Sequence, residues 1–233
     1  MLYKWRYRLR GGTSLNQSTS LSGEGGGDVF EHIALALEAP GYIVLDQCLP
    51  PGLTDALFVQ LKALDFDQFR RAGVGREDCR QLNRFVRTDE IVWVEHPDGA
   101  IRGYLAWMEE LRQALNRRLF LGLFDYECHF ARYAEGAFYR KHLDAFKGQR
   151  NRIVSTVLYL NPQWQREHAG ELLVFDRAGG DIIETVAPAW GRLVIFLSEE
   201  FPHEVTVTRW PRYSLTGWFR LNNSVCGQLD PPR

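Results

Sequence analysis

The sequence lacks a disulfide framework, a paired-cysteine metal motif and an apolar run long enough to span a membrane. It has four cysteines, and no two of them form a CxxC pair: Cys48, Cys79, Cys128 and Cys226. Free thiols of this kind are typical of a reducing compartment. The apolar runs Ile33–Leu37 and Leu193–Leu197 have the length of core elements. We therefore expect a cytoplasmic protein with no membrane partner.

The chain also lacks an excess of charge of either sign. Its 28 Lys and Arg residues balance 29 Asp and Glu residues, which gives a formal net charge of -1. This balance argues against a strongly basic surface, so no direct nucleic-acid partner is expected. At 233 residues and 45% hydrophobic composition, the chain has the length and composition of one globular domain.

Residues 11–27 lack the apolar content that a folded core needs, and the alternating basic segment before them is expected to be a loosely held terminus, with an added strand or a basic contact arm as the alternatives. Residues 11–27 are rich in Gly, Ser and Thr, and no acidic residue precedes Glu24. This composition predicts a basic, Gly/Ser-rich tail or linker over residues 1–27. A single domain is predicted to follow over residues 28–233.

The segment 28–121 has the pattern of a helical layer. Helical spacing of apolar residues, with a capping pair at its start, predicts three helices over Asp28–Ala39, Pro51–Leu64 and Ile101–Leu121. Short apolar runs predict two strands between them, Gly41–Gln47 and Ile91–Glu95. The segment Phe66–Arg87 contains glycines and many charges, which predicts an irregular, mobile loop.

After Gly122 the hydrophobic pattern changes to a period of two residues. Eight short strands are predicted: Tyr126–Tyr133, Phe138–His142, Ile153–Leu160, Glu171–Phe175, Asp181–Thr185, Gly191–Leu197, His203–Thr208 and Arg212–Leu221. A helical half followed by such strands predicts a mainly β fold, a sandwich or jelly-roll barrel supported by α-helices. The β core is predicted over residues 125–221 and its helical support over residues 28–121.

A His-x-Asp motif in the strand region has the spacing of two ligands of one ion. His142 and Asp144 are two residues apart, and side chains i and i+2 of a strand lie on one face. His203, at the start of a later predicted strand, is the natural candidate for a second imidazole. Two histidines and one carboxylate form the facial triad of non-haem Fe(II) oxygenases. The same ligands with a bound water also fit a hydrolytic zinc site, so both metals stay open.

Arg212 favours the iron alternative. It begins the last predicted strand and shares a face with Thr216. A cation inside a barrel requires an anionic partner. A dicarboxylate that chelates the metal at one end would present its other carboxylate there, and arginine can bind it in a bidentate manner. Tyr159, on a neighbouring strand, can add a phenolic hydrogen bond to that carboxylate.

His129 lies on the same strand face as Tyr133, so it is expected to point into the barrel interior as a packed, hydrogen-bonded core histidine.

Residues 126–221 resemble the prolyl hydroxylase branch of the Fe(II)/2-oxoglutarate dioxygenases, the branch that contains the HIF prolyl hydroxylases. The matching strings are GAFYRKHLD, VLYLN, GELLVF, FPHEV and RYSLTGWF. Upstream, the strings AGVGR, VRTDEIVW and RRLFLGL are most similar to bacterial prolyl hydroxylases that act on elongation factor Tu. The resemblance implies a double-stranded β-helix core and hydroxylation of a prolyl residue in a protein. It makes elongation factor Tu the expected partner.

The resemblance also implies roles for individual residues. The metal ligands would be His142, Asp144 and His203. The 2-oxoglutarate pocket would be formed by Arg212, Tyr159, Tyr133, Tyr139 and Thr216. The substrate contacts would be Arg152, Arg87, Asp89, Trp93 and Trp218. The implied cofactors are Fe(II), 2-oxoglutarate and O2, with ascorbate as the reductant.

Two alternatives share these residues. A dioxygenase of a free amino acid or small metabolite would keep every metal and co-substrate residue, but it would not need a long polar segment such as Phe66–Arg87. A non-catalytic, metal- or oxygen-responsive binding module would use the barrel without turnover, although binding alone would not require the triad together with Arg212. Succinate release and peptide turnover distinguish these possibilities.

Overall fold

The computed structural model describes residues 28–72, 85–145 and 151–222. Its helices are α1 (Val29–Glu38), α2 (Leu53–Ala63) and α3 (Gly99–Leu119). Its strands are β1 (Tyr42–Asp46), β2 (Arg70–Arg71), β3 (Glu90–Trp93), β4 (Asp125–Tyr133), β5 (Tyr139–His142), β6 (Arg152–Tyr159), β7 (Leu172–Phe175), β8 (Ile182–Val186), β9 (Arg192–Leu197), β10 (His203–Val205) and β11 (Arg212–Arg220). Within the described ranges, no helix is long and apolar enough to cross a membrane.

The helices form one layer because their apolar stripes pack into a common cluster. The Asp28 carboxylate caps α1 by accepting a hydrogen bond from the Phe30 amide at 3.0 Å. In α3 the buried residues recur every three or four positions: Ile101, Tyr104, Trp107, Met108, Leu111 and Leu115. They pack with α1, α2 and one face of the larger sheet. The helical layer therefore supports the outside of the β core.

Two antiparallel sheets form that β core. The larger has the strand order β1-β9-β6-β11-β4-β3-β2, and the smaller has the order β5-β10-β7-β8. Strands that are distant in sequence lie side by side, as β11 does between β4 and β6. This arrangement confirms the predicted fold class, a mainly β jelly roll with supporting α-helices.

The face of the larger sheet that lies inside the β core carries polar residues along β4 and β11. Their register brings together three pairs: Tyr133 with Arg212, His129 with Thr216, and Glu127 with Trp218. Because side chains alternate along a strand, the intervening residues of β4 and β11, such as Phe130 and Leu215, join the helical cluster instead. A second apolar cluster fills the space between the sheets. The inner face thus supplies a polar lining within an apolar frame.

Two sequence predictions need correction. The segment Phe66–Arg87 is not wholly irregular, because Arg70–Arg71 forms the edge strand β2 against β3. Two residues are too few to show a hydrophobic period. Residues 73–84 of that segment lie outside the described residues. The predicted strand His203–Thr208 ends at Val205, where the ladder is already irregular and the next amides bond to loop carbonyls. The other predicted elements are present, with ends shifted by a residue or two.

Candidate metal and co-substrate site

Three side chains that could hold a metal ion converge between the two sheets at one end of β5 and β10. His142 and His203 are direct register partners on these strands, and Asp144 follows β5 by two residues. His142 Nε2 lies 3.6 Å from Asp144 Oδ1, and His203 Nε2 lies 3.7 Å from Asp144 Oδ2. The ligand atoms of the three residues are all within 4.8 Å of one another. The structure therefore brings together the three residues that the sequence analysis proposed as metal ligands.

The fold orients both imidazoles toward that point. His142 Nδ1 lies 2.7 Å from the Arg140 carbonyl oxygen, and His203 Nδ1 lies 3.0 Å from the Phe201 carbonyl oxygen. A carbonyl can only accept, so each Nδ1 carries the proton and donates it. The lone pair of each Nε2 then faces the cluster, as in histidines that bind a metal.

Asp144 is held as an anion. Ser155 Oγ donates a hydrogen bond to Asp144 Oδ2 at 2.7 Å, and the Ser155 and Ser198 hydroxyls are 2.8 Å apart. Burial opposes ionisation, but His203, His142 and the Ser155 hydroxyl outweigh it and hold the pKa of Asp144 well below its usual range. Burial, with a further contribution from His142, lowers the pKa of His203 to about 4. A carboxylate beside a neutral imidazole is the protonation state that a divalent cation requires.

Arg212 provides the second half of the site. It is only 3% exposed, and its Nε donates to the Gly170 carbonyl oxygen at 2.9 Å. Its guanidinium carbon lies 4.7 Å from the Tyr133 ring centroid and 4.9 Å from that of Tyr159. Among the described residues, no carboxylate lies within salt-bridge distance of Arg212. A buried cation without an anion is costly, so this pocket fits the distal carboxylate of a bound dicarboxylate.

Tyr159 strengthens that fit. Its hydroxyl is fully buried and makes no hydrogen bond of acceptable geometry to the described residues. Burial raises the pKa of the phenol even though the adjacent Arg212 opposes the shift. A neutral phenol that lacks a partner can donate to a carboxylate oxygen. The Tyr159 hydroxyl and the Arg212 guanidinium are therefore suited to bind the same anionic group.

The remaining residues of the predicted co-substrate pocket lie between these two centres. Tyr139 stacks on His142, with ring centroids 3.5 Å apart and an interplanar angle of 15°. Thr216 is partly buried and lies 3.4 Å, oxygen to oxygen, from Ser214. Tyr139 thus lies against one centre, and Tyr133 lies against the other, below the Arg212 guanidinium. The assignment of each to 2-oxoglutarate stays a proposal.

The predicted substrate contacts are not free surface charges. Arg87 and Asp89 form a bidentate pair, with nitrogen-oxygen distances of 2.7 and 2.5 Å, and Asp89 is buried. Arg152 is paired with Glu127, its Nε lying 2.9 Å from Oε1. Trp218 lies beneath the Arg152 guanidinium at 3.7 Å. These side chains form a fixed wall beside the three metal-ligating residues.

Trp93 and Trp218 enclose a histidine whose environment the sequence did not reveal. The His129 ring centroid lies 4.9 Å from that of Trp93 and 5.3 Å from that of Trp218. His129 faces the interior as predicted, but its Nδ1 has no hydrogen-bond partner, so it is not the fully satisfied core histidine that was expected. Ser155 and Glu127 were also missed, although both have the strand parity of interior residues and that signal could have identified them.

Comparison with known proteins gives the family. Residues 128–220 match the 2OG-Fe(II) oxygenase superfamily. The crystal structure of a Pseudomonas putida prolyl-4-hydroxylase is similar with a TM-score of 0.75 and 40% identity, over 83% of this chain and 100% of that one. This chain belongs to the prolyl hydroxylase branch of the 2OG-Fe(II) oxygenases.

Other relatives agree with this assignment. Prolyl hydroxylase EGLN3 of Mus musculus is 28% identical over 199 residues, which is 82% of each chain. A Trichoplax adhaerens prolyl hydroxylase, solved with a hypoxia inducible factor peptide fragment, shares the fold with a TM-score of 0.71 at 23% identity, over 82% of this chain and 89% of that one. The chain is therefore a prolyl hydroxylase-type dioxygenase that uses Fe(II), 2-oxoglutarate and O2. This result replaces both the zinc-hydrolase and the non-catalytic alternatives.

Proposed function

We propose that this dioxygenase hydroxylates a prolyl residue within a protein, and that elongation factor Tu is its substrate. The observation that carries the proposal is the 40% identity to the Pseudomonas putida prolyl-4-hydroxylase, which this chain covers along its full length. The similarity of AGVGR, VRTDEIVW and RRLFLGL to enzymes that act on elongation factor Tu supports the finer assignment.

In this proposal the chain's own residues divide the work between two centres. His142, Asp144 and His203 would hold Fe(II), and Arg212 with Tyr159 would bind the distal carboxylate of 2-oxoglutarate. When bound, iron and 2-oxoglutarate would supply, together with O2, the oxidation that replaces a C–H bond by C–OH: one oxygen atom would enter the hydroxyl group and the other succinate, with CO2 as the second co-product. The protein contributes orientation, because both centres are fixed by hydrogen bonds before any ligand enters.

The wall beside the site would hold the substrate chain. Arg152 presents guanidinium donors above the flat surface of Trp218, and Arg87 lies over the ring of Tyr139. An extended peptide offers carbonyl oxygens to such donors, and a proline ring can pack on the aromatic surfaces. The apolar cluster between the sheets frames the site and would limit the access of water to the reaction. Ascorbate as the reductant and a cytoplasmic location stay predictions.

Mass spectrometry of elongation factor Tu tests the proposal. The purified protein is incubated with the enzyme, Fe(II), 2-oxoglutarate and ascorbate, and the intact mass and its tryptic peptides are recorded. We expect one adduct of about 16 Da, a single oxygen atom, on a proline-containing peptide. The His142→Ala variant, which removes one metal-ligating side chain, is the control and should give no adduct. An unmodified protein together with efficient turnover of free proline would assign the enzyme to small metabolites instead.

A further inference from the structure

The guanidinium of Arg152 is fixed in position. Its Nε and one terminal nitrogen lie 2.9 and 2.8 Å from the same oxygen of Glu127. Its central carbon is 3.7 Å from the centroid of the Trp218 ring. The Arg152 side chain is 18% exposed, whereas that of Glu127 is 4% exposed. Glu127 therefore holds Arg152 from the interior side and leaves its remaining donors facing outward.

Glu127 is itself fixed by a second ion pair deeper in the sheet. Its other oxygen lies 3.4 Å from Arg220 Nη1. Arg220 is 2% exposed and is held by both carboxylate oxygens of Asp125. The register of the sheet explains this arrangement, because β11 pairs Trp218 with Glu127 on one side and Arg220 with Arg152 on the other. The four charged residues form a row across β6, β11 and β4.

The ion pair with Glu127 has a consequence for substrate recognition. The Glu127 carboxylate compensates the positive charge of Arg152, so Arg152 presents little uncompensated charge toward the site. A neutral hydrogen-bond acceptor, such as a peptide carbonyl oxygen, suits this group better than a carboxylate does. A bare arginine in the same place would instead attract acidic side chains.

We propose that Glu127 is a positioning residue for substrate binding. It holds the Arg152 guanidinium flat over Trp218, so that its outward donors bind carbonyl oxygens of an extended prolyl peptide, and Arg220 with Asp125 fixes Glu127. The inference rests on the proposed function, in which Arg152 contacts the protein substrate. Glu127 touches neither the substrate nor the three metal-ligating residues in this account, and it acts only through Arg152.

A double-mutant cycle on the full chain tests this dependence. Glu127→Gln, Arg152→Ala and the double variant are assayed with elongation factor Tu and, separately, for decarboxylation of 2-oxoglutarate without protein substrate. We expect Glu127→Gln to raise the KM for elongation factor Tu roughly ten-fold, with kcat and the KM for 2-oxoglutarate nearly unchanged, because uniform substrate binding is lost. In the Arg152→Ala background, Glu127→Gln should raise that KM no further.

Asp46→Asn is the matched control. Asp46 also forms a bidentate pair with an arginine of the larger sheet, Arg192, at 2.7 and 2.9 Å. Loss of the Asp46–Arg192 ion pair should lower the melting temperature without changing the KM for elongation factor Tu. If Glu127→Gln does not fold, Glu127→Asp keeps the charge but shortens its reach, and it should raise the KM by a smaller factor.

Each outcome separates the inference from the proposed function. An unchanged KM in Glu127→Gln, or an equal rise in the presence and absence of Arg152, overturns the positioning role alone. An unchanged KM in Arg152→Ala overturns the substrate contact assigned to Arg152, and the positioning role with it. Failure of the wild-type enzyme to modify elongation factor Tu overturns the proposed substrate and this inference together.

Discussion

Arg212 carries its positive charge inside the barrel, where the structure gives it a carbonyl oxygen and two tyrosine rings as neighbours. The other buried arginine of the described residues, Arg220, is paired with the carboxylate of Asp125. The contrast supports the proposal that Arg212 is a binding group, since a structural arginine at this depth would be expected to have an anionic partner. Tyr159 lies beside this guanidinium, and its buried hydroxyl likewise has no hydrogen-bond partner among the described residues.

Replacement of Arg212 tests this interpretation. Arg212→Ala should weaken 2-oxoglutarate binding by about 1.5–3 kcal/mol, or roughly ten- to a hundred-fold, because a charge-assisted contact is lost. The affinity is measured by titration of the Fe(II)-loaded protein with 2-oxoglutarate. Arg209→Ala, which removes an exposed arginine three residues away, is the control. Equal affinities of the wild type and Arg212→Ala would rule out the assigned role.

His129 makes a residue-scale prediction about pH. Burial, with Arg87 and Arg152 adding to it and Asp144 opposing, lowers the pKa of His129 well below its ordinary value. The unfolded chain therefore binds a proton below about pH 6.5 that the folded chain does not, so this residue makes stability fall as the pH falls.

This effect is tested by measuring the free energy of unfolding of the metal-free protein at several pH values between 7 and 5. His129→Leu should reduce the slope of that free energy against pH by at most one proton, about 1.4 kcal/mol per pH unit. His96→Gln removes an exposed imidazole and serves as the control. If wild type and His129→Leu have parallel curves, His129 is not buried in its neutral form.

At the scale of secondary-structure elements, the close pairing of β11 with β4 fixes the relative positions of the site residues on these strands. Gly217 lies in β11 between Thr216 and Trp218, and it faces the helical layer. A Cβ at this position would clash with the Tyr126 hydroxyl and would lie 2.8 Å from the Glu127 carbonyl oxygen. The Tyr126 hydroxyl is in turn hydrogen-bonded to the Thr156 hydroxyl of β6, at 2.7 Å. The absence of a side chain at Gly217 therefore allows three strands to approach closely.

Gly217→Ala should therefore destabilise the fold by about 1–3 kcal/mol, because neither the backbone oxygen nor the bonded tyrosine can move freely. Gly103→Ala is a control that should change the stability in the opposite direction. Gly103 is exposed in the second turn of α3, and a Cβ added there would have only a Leu53 methyl carbon nearby, at 3.4 Å. Alanine should therefore stabilise the fold by about 0.5–1 kcal/mol through helix propensity. Urea unfolding measures both, and a stable Gly217→Ala would show that the strands can separate without cost.

The elements also show where sequence reasoning succeeds and where it ends. The His-x-Asp spacing and the position of His203 at the start of a later strand sufficed to predict that His142, Asp144 and His203 meet. The argument from a shared strand face does not hold in detail, because Asp144 lies two residues beyond the end of β5. Partners such as Glu127 and Arg152 lie on strands that are not sequence neighbours. Their contact depends on the register of β11, which no local pattern encodes. The same limit applies to Ser155 and Asp144.

At the scale of the whole molecule, the two sheets have different roles. The larger sheet carries the helical layer on one face and the polar lining on the other, and the smaller sheet supplies both histidines. His142 and His203 therefore lie on a different sheet from Arg212 and Tyr159. A bound 2-oxoglutarate that spans from iron to Arg212 would bridge the two sheets and should stabilise the fold.

The most direct test follows both oxygen atoms of isotopically labelled O2. The enzyme is incubated with Fe(II), 2-oxoglutarate and elongation factor Tu under labelled O2, and succinate and the proline-containing peptides are analysed by mass spectrometry, with His142→Ala as the control. The account predicts one labelled oxygen in succinate and one in a hydroxylated prolyl residue, in equal amounts, and neither from the variant. Turnover without labelled succinate, or full activity in His142→Ala, would contradict it.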